Sequence, residues 1–234
     1  MKREKAIVIL SGGLDSAVSM LQSMKPYDVV LALTYDYGQI SHDKEVAAAR
    51  ALCERYQIQH QVLPLDWLKK ITTTALVNSD HPIPHPSIED LDEHHSAEEN
   101  AKLVWVPNRN GLMIHIAACY AEVLGAKVIL TGFNQEEAAT FADNSLAFIQ
   151  ATNQSLAYST LISCRVESPV VNLNKKDIVL LGKKLKLPFE LIWSCYEGRE
   201  KMCGACESCL RSQRAYQQAG LWTQMKKHFS QESR

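Results

Sequence analysis

The sequence has almost no net charge and no long apolar run. Its 234 residues include 25 lysines and arginines against 26 aspartates and glutamates, which leaves a formal charge of -1. A near-neutral chain lacks the basic field that attracts nucleic acid, and this argues against a tRNA substrate. No apolar run approaches the roughly 20 residues of a membrane span. Residues 1–5 are mostly charged and lead directly into an apolar segment, so we expect no signal peptide and a cytoplasmic location.

Two familiar nucleotide-binding loops are also missing. A Walker A loop needs a lysine after its glycines, but the chain has no lysine between Lys5 and Lys25. A Rossmann fingerprint spaces its glycines as Gly-x-Gly-x-x-Gly, whereas Gly12 and Gly13 are adjacent and no glycine follows them closely. Both the P-loop NTPases and the dinucleotide-binding enzymes are therefore excluded.

What stands in their place is a strand, a polar glycine turn and a helix. Residues 6–10 are all apolar, which is typical of a strand buried on both faces of a parallel sheet. A helical pattern begins at Ala17. A helix that starts after a glycine turn directs free N–H groups into the turn and favours phosphate. The alternative interpretation is an ordinary turn between a strand and a helix.

The whole chain alternates strand and helix patterns, which predicts an α/β fold with a doubly wound parallel sheet. We expect strands at residues 6–10, 29–34, 60–65, 127–134 and 165–171. We expect helices at residues 43–56, between 106 and 126, at 145–158 and from about 174 to 185. Ligands bind outside the carboxyl ends of such strands, so the polar turns at Ser11, Tyr35 and 132–135 should face one crevice.

Residues 72–100 differ from the rest of the chain. They hold three prolines, four histidines and an acidic run at 89–93. A loop of this length is usually functional or disordered, and we interpret it as a mobile flap of the α/β domain, which spans residues 1–190. The histidines could be metal ligands, but the surrounding prolines and acids favour a solvated loop. They are His81, His85, His94 and His95.

Four of the seven cysteines are close together in the segment 191–234, which we predict to be a small zinc-binding region. These four are Cys195, Cys203, Cys206 and Cys209. In a cytoplasmic protein such spacing indicates a metal rather than disulfides, and four thiolates suit a closed structural zinc site. An iron–sulfur cluster is the competing interpretation, but the Cys-Pro that ends the ferredoxin pattern is absent. The other cysteines are expected to pack in the core.

Two basic residues are candidates for anion binding. Arg109 follows a proline in "VPNRNG", and its planar fork matches a carboxylate or phosphate, although a surface arginine is the alternative. Lys175 begins a helix whose predicted cap is Asn174 with Asp177, where a cation opposes the helix dipole. Either an anion lies nearby or the lysine reaches into solvent.

The segment "SGGLDS" resembles the signature of the PP-loop ATP pyrophosphatases. With "YDYGQ", "VPNRN", "LNKKDI" and the four-cysteine segment, in this order, the chain resembles the 7-cyano-7-deazaguanine synthase family, the QueC/ExsB type. The resemblance runs from residue 7 to about 217. It implies an ATP-dependent ligase that converts 7-carboxy-7-deazaguanine and ammonia to the nitrile in queuosine biosynthesis, acting as a homodimer with one structural zinc per chain.

The same resemblance implies roles for individual residues. The ATP site would consist of Leu10, Ser11, Gly12, Gly13, Leu14, Asp15 and Ser16, with Thr34 and Tyr35 beside the nucleoside. Arg109, Asn110 and Asp143 would contact the acid, and Lys175 would neutralise charge on phosphates or substrate. Asp15 would act through Mg²⁺. Asp15, Lys175 and Arg109 are the expected catalytic residues.

One segment departs from the better-known branch of that family. In "FADNSLAFI", residues 141–149, Asn144 and Ser145 stand where that branch has cysteine and arginine. This departure leaves the fold unaffected and leaves open which acid is bound and whether the reaction reaches the nitrile. Two other functions are weighed against the family resemblance. One is a PP-loop enzyme that forms an amide or modifies tRNA, and the other is a zinc-ribbon interaction module with a vestigial loop. An intact "SGGLDS" argues against the second.

Overall fold

A computed structural model describes residues 3–78, 80–91 and 94–230. Its sheet has five parallel strands in the order β3-β2-β1-β4-β5. The strands are β1 Lys5–Ile9, β2 Asp28–Asp36, β3 Gln59–Pro64, β4 Val128–Leu130 and β5 Arg165–Glu167. All five predicted strands are confirmed, with the last two shorter than expected. The chain leaves β4 early because residues 131–134 form the turn before the next helix.

Ten α-helices connect and flank the strands in the described ranges. They are α1 Leu14–Ser23, α2 His42–Tyr56, α3 Asp66–Ile71, α4 His94–Val104, α5 Arg109–Leu124, α6 Gln135–Ala138, α7 Leu146–Ser159, α8 Lys175–Lys184, α9 Glu207–Gln218 and α10 Trp222–Met225. Short 3₁₀ turns lie at Glu89–Leu91, Ala142–Asn144, Phe189–Leu191 and Lys226–His228. None of these helices is both long and apolar enough to cross a membrane.

Two apolar cores cover the faces of the sheet, and β1 contributes to both. Ala6 and Val8 point into a core with α1 and α8, whereas Ile7 points into the core with α5 and α7. This explains why residues 6–10 are apolar without alternation. The first core also includes Tyr216 of α9 and Phe229, so the C-terminal segment packs directly on the α/β layer.

Two sequence expectations were wrong at the level of boundaries. Helix α1 begins at Leu14, three residues before the predicted start at Ala17, because the turn after β1 is shorter than its polar sequence indicated. The segment expected to be a loop through residue 100 becomes helical at His94, and Ala101 and Val104 bury one face of that helix. The side chains of His94 and His95 lie outside the described residues.

The strand order reverses at β1, where β2 lies on one side and β4 on the other. In doubly wound sheets this reversal opens a crevice at the carboxyl ends of the strands. Here the turn after β1 holds residues 11–13 and the turn after β4 holds residues 131–134. The sheet therefore brings two polar turns, more than a hundred residues apart in sequence, to one place.

Gly12 is the residue of the first turn that other side chains cannot replace. Its φ is +77°, and a Cβ atom there would lie 2.6 Å from the Glu45 carbonyl oxygen and 2.9 Å from Ala48 Cβ. We expect Gly12→Ala to lower the free energy of unfolding by at least about 2 kcal/mol, from backbone strain and steric overlap together. Chemical denaturation measures this loss. Gly125→Ala is the matched control, because its φ is also positive (+64°) but nothing lies within 4 Å. Equal losses in the two variants would contradict a role for the contact with α2.

Candidate active site

A cleft with a cavity volume of about 250 Å³ lies at the carboxyl ends of β1, β2 and β4. Most residues predicted for the active site line it: Leu10, Ser11, Gly13, Leu14, Asp15, Ser16, Thr34, Tyr35, Arg109, Asn110 and Lys175. Gly12 does not, because its backbone packs against α2 behind the turn. Asp143 does not line the cleft either, although its neighbour Asn144 does.

The turn after β1 is held by hydrogen bonds among its own residues. Ser16 Oγ accepts from Ser11 N–H (3.3 Å) and donates to Gly13 O (3.2 Å), while Ser11 Oγ accepts from Gly13 N–H (3.3 Å). From outside, Trp193 N–H donates to Gly12 O at 3.0 Å. The two serines of the motif thus organise the turn from within, and the C-terminal segment braces it.

Lys175 lies at the centre of a charged cluster in the cleft. Its Nζ pairs with Asp15 Oδ2 and, at 2.9 Å, with Glu137 Oε1, while its side chain is only 8% exposed. Burial disfavours its charge, but the two carboxylates outweigh burial and raise the pKa of Lys175. Burial works likewise against the charge of Glu137, but Lys175 prevails and lowers the pKa of Glu137. Of the two alternatives for Lys175, the anionic neighbour is therefore correct.

Asp15 keeps one oxygen without a protein partner. Its Oδ1 is buried and makes no hydrogen bond to any described residue, and burial raises its pKa against the opposing effect of Lys175. Native proteins rarely leave a buried carboxylate oxygen unpaired. A divalent cation such as Mg²⁺ prefers carboxylate oxygens beside phosphates. Asp15, with Glu137 close by, therefore fits a magnesium ion.

Arg109 lines the cleft at the first position of α5. Its Nη1 donates to Tyr37 Oη at 3.0 Å, and its guanidinium lies 5.5 Å from the centre of the Tyr37 ring. Asn110 Nδ2 donates a long hydrogen bond of 3.5 Å to Asp143 O, which links α5 to the segment 141–149. Arg109 is thus a half-buried residue of the cleft wall rather than a free surface arginine.

The residues predicted to flank the nucleoside use their hydroxyls within the fold. Thr34 Oγ1 donates to Leu10 O at 2.6 Å, which joins β2 to the turn after β1. Tyr35 Oη donates to Met113 O at 2.7 Å. These hydroxyls hold the walls of the cleft in position, so any contact with a nucleoside would come from other atoms of the two residues.

Sequence reasoning missed several residues that line the cleft, and four of them carry polar groups close to the predicted ones. Glu137 follows β4, and Tyr37, Gln39 and Glu45 follow β2. Gln39 and Ser41 each donate a hydrogen bond to a Glu45 oxygen, at 2.9 and 2.7 Å, and burial still raises the pKa of Glu45. The motif "YDYGQ" contained the signal for Tyr37 and Gln39. The adjoining turn at 132–135 was expected to face the crevice without Glu137 being singled out, and nothing local pointed to Glu45.

The four clustered cysteines converge as predicted. They are Cys195, Cys203, Cys206 and Cys209, all buried, and their sulfurs lie within 4.8 Å of one another. Backbone N–H groups donate to two of these sulfurs: those of Glu197 and Cys203 to Cys195 Sγ, and those of Ala205 and Cys206 to Cys203 Sγ. Such N–H···S bonds stabilise thiolates. The arrangement fits one tetrahedral metal ion.

Glu136 connects the cysteine segment to the helix that carries Lys175. Its Oε1 accepts from Arg211 Nη1 at 3.0 Å and from Arg214 Nη2 at 2.8 Å, both on α9. Its Oε2 accepts from the backbone N–H of Lys175 at 3.1 Å. Arg211 is almost fully buried and also pairs with Glu207 at 3.0 Å. The cysteine segment and the cleft are therefore joined by buried charged side chains.

We expect Arg211→Ala to lower the free energy of unfolding by roughly 3–5 kcal/mol, because it removes the buried guanidinium that pairs with Glu207 and shares Glu136 with Arg214. Arg165→Ala is the matched control: Arg165 also pairs with two acids, Glu4 and Glu167, but its side chain is 39% exposed. That variant should lose no more than about 1 kcal/mol. Urea denaturation of both variants measures the difference. Similar small losses would show that the buried pairs contribute little.

Comparisons with known proteins show which family this chain resembles. The family model described as queuosine biosynthesis protein QueC matches residues 5–220. A 7-cyano-7-deazaguanine synthase from Pelotomaculum thermopropionicum is 52% identical over 217 residues, which is 93% of this chain and 98% of the relative. A protein of the same name from Desulforamulus reducens is 51% identical over 216 residues, covering 92% of this chain and 95% of the relative.

A solved structure supports the fold alone. The complex of a 4-thiouridine synthetase with RNA and bound ATP matches 96% of this chain and 52% of its own, with a TM-score of 0.50 and 18% identity. The predicted doubly wound PP-loop fold is thereby confirmed. Because the family model matches residues 5–220 and both relatives are more than 50% identical over more than 90% of the chain, this chain belongs to the QueC family.

Proposed function

We propose that this protein converts 7-carboxy-7-deazaguanine and ammonia to 7-cyano-7-deazaguanine, with cleavage of ATP to AMP and diphosphate. The observation that carries the proposal is the cleft, where the phosphate turn, the Lys175 cluster and Arg109 face one another. The names of relatives that match nearly the full chain supply the product and favour this function over amide formation on another acceptor or tRNA modification. The enzyme class, a carbon–nitrogen ligase, follows from the proposed reaction.

In the proposed ATP complex, the turn at residues 11–16 holds the phosphates and Lys175 offsets their charge. The backbone N–H groups of the turn and the start of α1 suit the diphosphate that leaves. Asp15 and Glu137 would hold Mg²⁺, which when bound neutralises the phosphate oxygens and orients them. Residues Thr34 and Tyr35 at the end of β2 would form the nucleoside side of the cleft.

The acid would lie toward α5, where Arg109 and Asn110 line the wall. The Arg109 guanidinium suits the carboxylate of the acid or the phosphoryl oxygens of its adenylate. Phe133 and Met113 also line the cleft and offer apolar surface to a planar deazapurine ring. Asp143 lies behind this wall, and in the proposal it acts by positioning Asn110 rather than by touching the acid.

The proposed chemistry activates the same carbon in two stages. First the carboxylate attacks the α-phosphate, so that diphosphate leaves and an acyl adenylate forms. Ammonia then displaces AMP and gives the amide. Next the amide oxygen attacks the α-phosphate of a further ATP and a second diphosphate leaves. The carbon–oxygen bond then breaks to release AMP, and the nitrogen loses its two protons to leave the nitrile. The cleft's residues position the reactants and stabilise charge, and ammonia itself needs no general base once it is unprotonated.

The remaining features of the proposal concern the rest of the chain. The four cysteines would hold one structural zinc, since all four positions are filled by protein and none is open for water. Residues 1–190 would act as the ATP-binding domain with the flap at 72–100, and residues 191–234 as the zinc-binding region. We further expect a cytoplasmic homodimer that takes ammonia and binds no nucleic acid.

Mass spectrometry after incubation with 7-carboxy-7-deazaguanine, ATP, Mg²⁺ and ammonium tests the proposal. We expect the nitrile, together with AMP and diphosphate, and no product when ATP is omitted. Amide as the final product would mean that the altered segment 141–149 stops the reaction halfway. Formation of ADP and phosphate, or no consumption of the acid at any ammonium concentration, would refute the proposed function.

A further inference from the structure

Two buried polar side chains after β4 lack protein partners. Thr131 and Asn134 are 2% and 0% exposed, and both line the cleft. Thr131 Oγ1 and Asn134 Nδ2 make no hydrogen bond to any residue that the structure describes. A buried donor without a partner lowers stability, and native proteins seldom keep one unless something else binds it.

The orientation of the Asn134 amide is determined by its role as helix cap. Its Oδ1 accepts from the backbone N–H groups of Glu136 (3.1 Å) and Glu137 (3.0 Å). An amide nitrogen in that position would face two other donors, so the oxygen and nitrogen cannot exchange places. Nδ2 is therefore the end that remains, and it can only donate.

The hydroxyl of Thr131 makes no contribution to holding the fold. The backbone of Thr131 is held on both sides, because its N–H donates to Glu167 O (3.0 Å) and its carbonyl accepts from Ser19 Oγ (2.6 Å). Its hydroxyl adds nothing to this anchoring. Burying an unpaired hydroxyl costs free energy that a methyl group at the same place would not cost.

Both side chains lie beside the phosphate turn. Gly132, between them in sequence, packs so closely on that turn that a Cβ would lie 2.6 Å from Ser16 N. The backbone of Asp15 lies in the same close contact with Gly132, and the Oδ1 atom of Asp15 also lacks a partner. The turn after β4 thus supplies two unused donors to the cleft that Asp15 also lines.

We propose that Thr131 Oγ1 and Asn134 Nδ2 form a donor pair that binds an oxygen of the bound ligand. The oxygen belongs either to the phosphates of ATP or to the carboxyl group of the acid, both of which accept hydrogen bonds. This inference builds on the proposed function, because it assigns to that reaction two further binding residues.

Thr131→Val gives the sharper of two tests. Without ligand, the melting temperature of the variant should equal or exceed that of the wild type, because an unpaired hydroxyl has been removed. With ligand, its affinity should fall by about tenfold. A residue with only a structural role would show the opposite, a lower melting temperature and unchanged affinity, and that result would overturn the assignment of Thr131.

Asn134 can be tested by separating its cap from its donor. Serine keeps an oxygen that caps the helix but removes the amide, whereas alanine removes both. We expect Asn134→Ser to melt close to the wild type and Asn134→Ala to melt lower, with affinity lowered by about tenfold in both. Recovery of full affinity in the serine variant would mean that the cap alone matters and would overturn the proposal for Asn134.

Calorimetry with two separate probes identifies the source of the oxygen. One is α,β-methylene-ATP with Mg²⁺, which cannot be cleaved at the bond in question, and the other is 7-carboxy-7-deazaguanine alone. If the variants bind the nucleotide more weakly than the wild type, the donor pair binds a phosphate oxygen. If they bind the acid more weakly, the pair binds the carboxyl group of the acid. Wild-type affinity for both probes in all variants would overturn the proposal. If the wild-type protein binds the nucleotide but not the acid, the proposed substrate fails while the nucleotide titration still decides the donor pair.

Discussion

Asp15→Asn should lower the rate of diphosphate release by at least about a thousandfold, because it removes charge from the oxygen that fits Mg²⁺. The fold should survive, since Lys175 keeps its pairing with Glu137 at 2.9 Å and remains compensated. The measurement is the steady-state release of diphosphate from ATP in the presence of the acid and ammonium. A melting curve recorded in parallel separates loss of activity from loss of structure.

The matched control is Asp28→Asn. Asp28 begins β2 and lies at the amino end of the strand, opposite the cleft. The Asp28→Asn variant makes the same chemical change at a place where no phosphate is expected. The activity of this variant should therefore stay near that of the wild type. If Asp15→Asn retained activity within tenfold of wild type while folded, Asp15 would not be a catalytic metal ligand.

Cys206→Ser should cause the largest loss of stability. A structural zinc site in a small region supplies on the order of 10 kcal/mol of folding free energy, because the liganded geometry does not exist in the unfolded chain. Cys206 is fully buried just before α9, and it belongs to the apolar core that also includes residues of α1 and α8. We therefore expect the variant to lose the metal and to melt far below the wild type.

Elemental analysis and thermal denaturation of the purified protein measure both effects. Cys119→Ser is the matched control, because Cys119 is an exposed cysteine on α5 and should be neutral in both measurements. One zinc per wild-type chain is the expected result. If the protein instead contains iron with inorganic sulfide, the cluster is an iron–sulfur site and the zinc assignment is wrong. If Cys206→Ser keeps the metal content and melting temperature of the wild type, the cluster holds no structural metal.

Chelation is expected to affect the cleft as well as the C-terminal segment. The backbone N–H of Trp193 supports the turn after β1, and Glu136 joins Arg211 of α9 to the start of α8. Both links begin within a short distance of the cysteines in sequence. Loosening of this segment would therefore remove two supports from the site at once.

Local patterns in the sequence determined most of the framework. The apolar run at 6–10, the adjacent glycines and the cap formed by Asn174 are each readable within a few residues, and the structure has them where they were expected. The four cysteines are also readable from a short stretch of sequence, since their spacing within 15 residues already restricts what they can bind. Residues 72–100 were interpreted wrongly in part, because the prolines and acids between residues 82 and 93 concealed the helical pattern that begins at His94.

The tertiary structure alone decided which distant groups meet. Lys175 pairs with Asp15 across 160 positions of the chain, and the identity of its second partner, Glu137, depends on how the turn after β4 lies against α8. The same is true of Tyr37 beneath Arg109 and of Glu136 between two helices. Such contacts leave no periodic signal, because they arise where strand ends from separate parts of the chain converge at the edge of one sheet. The sequence by itself determined the kinds of group available for phosphate and metal, and the order of the strands determined which of them share a cleft.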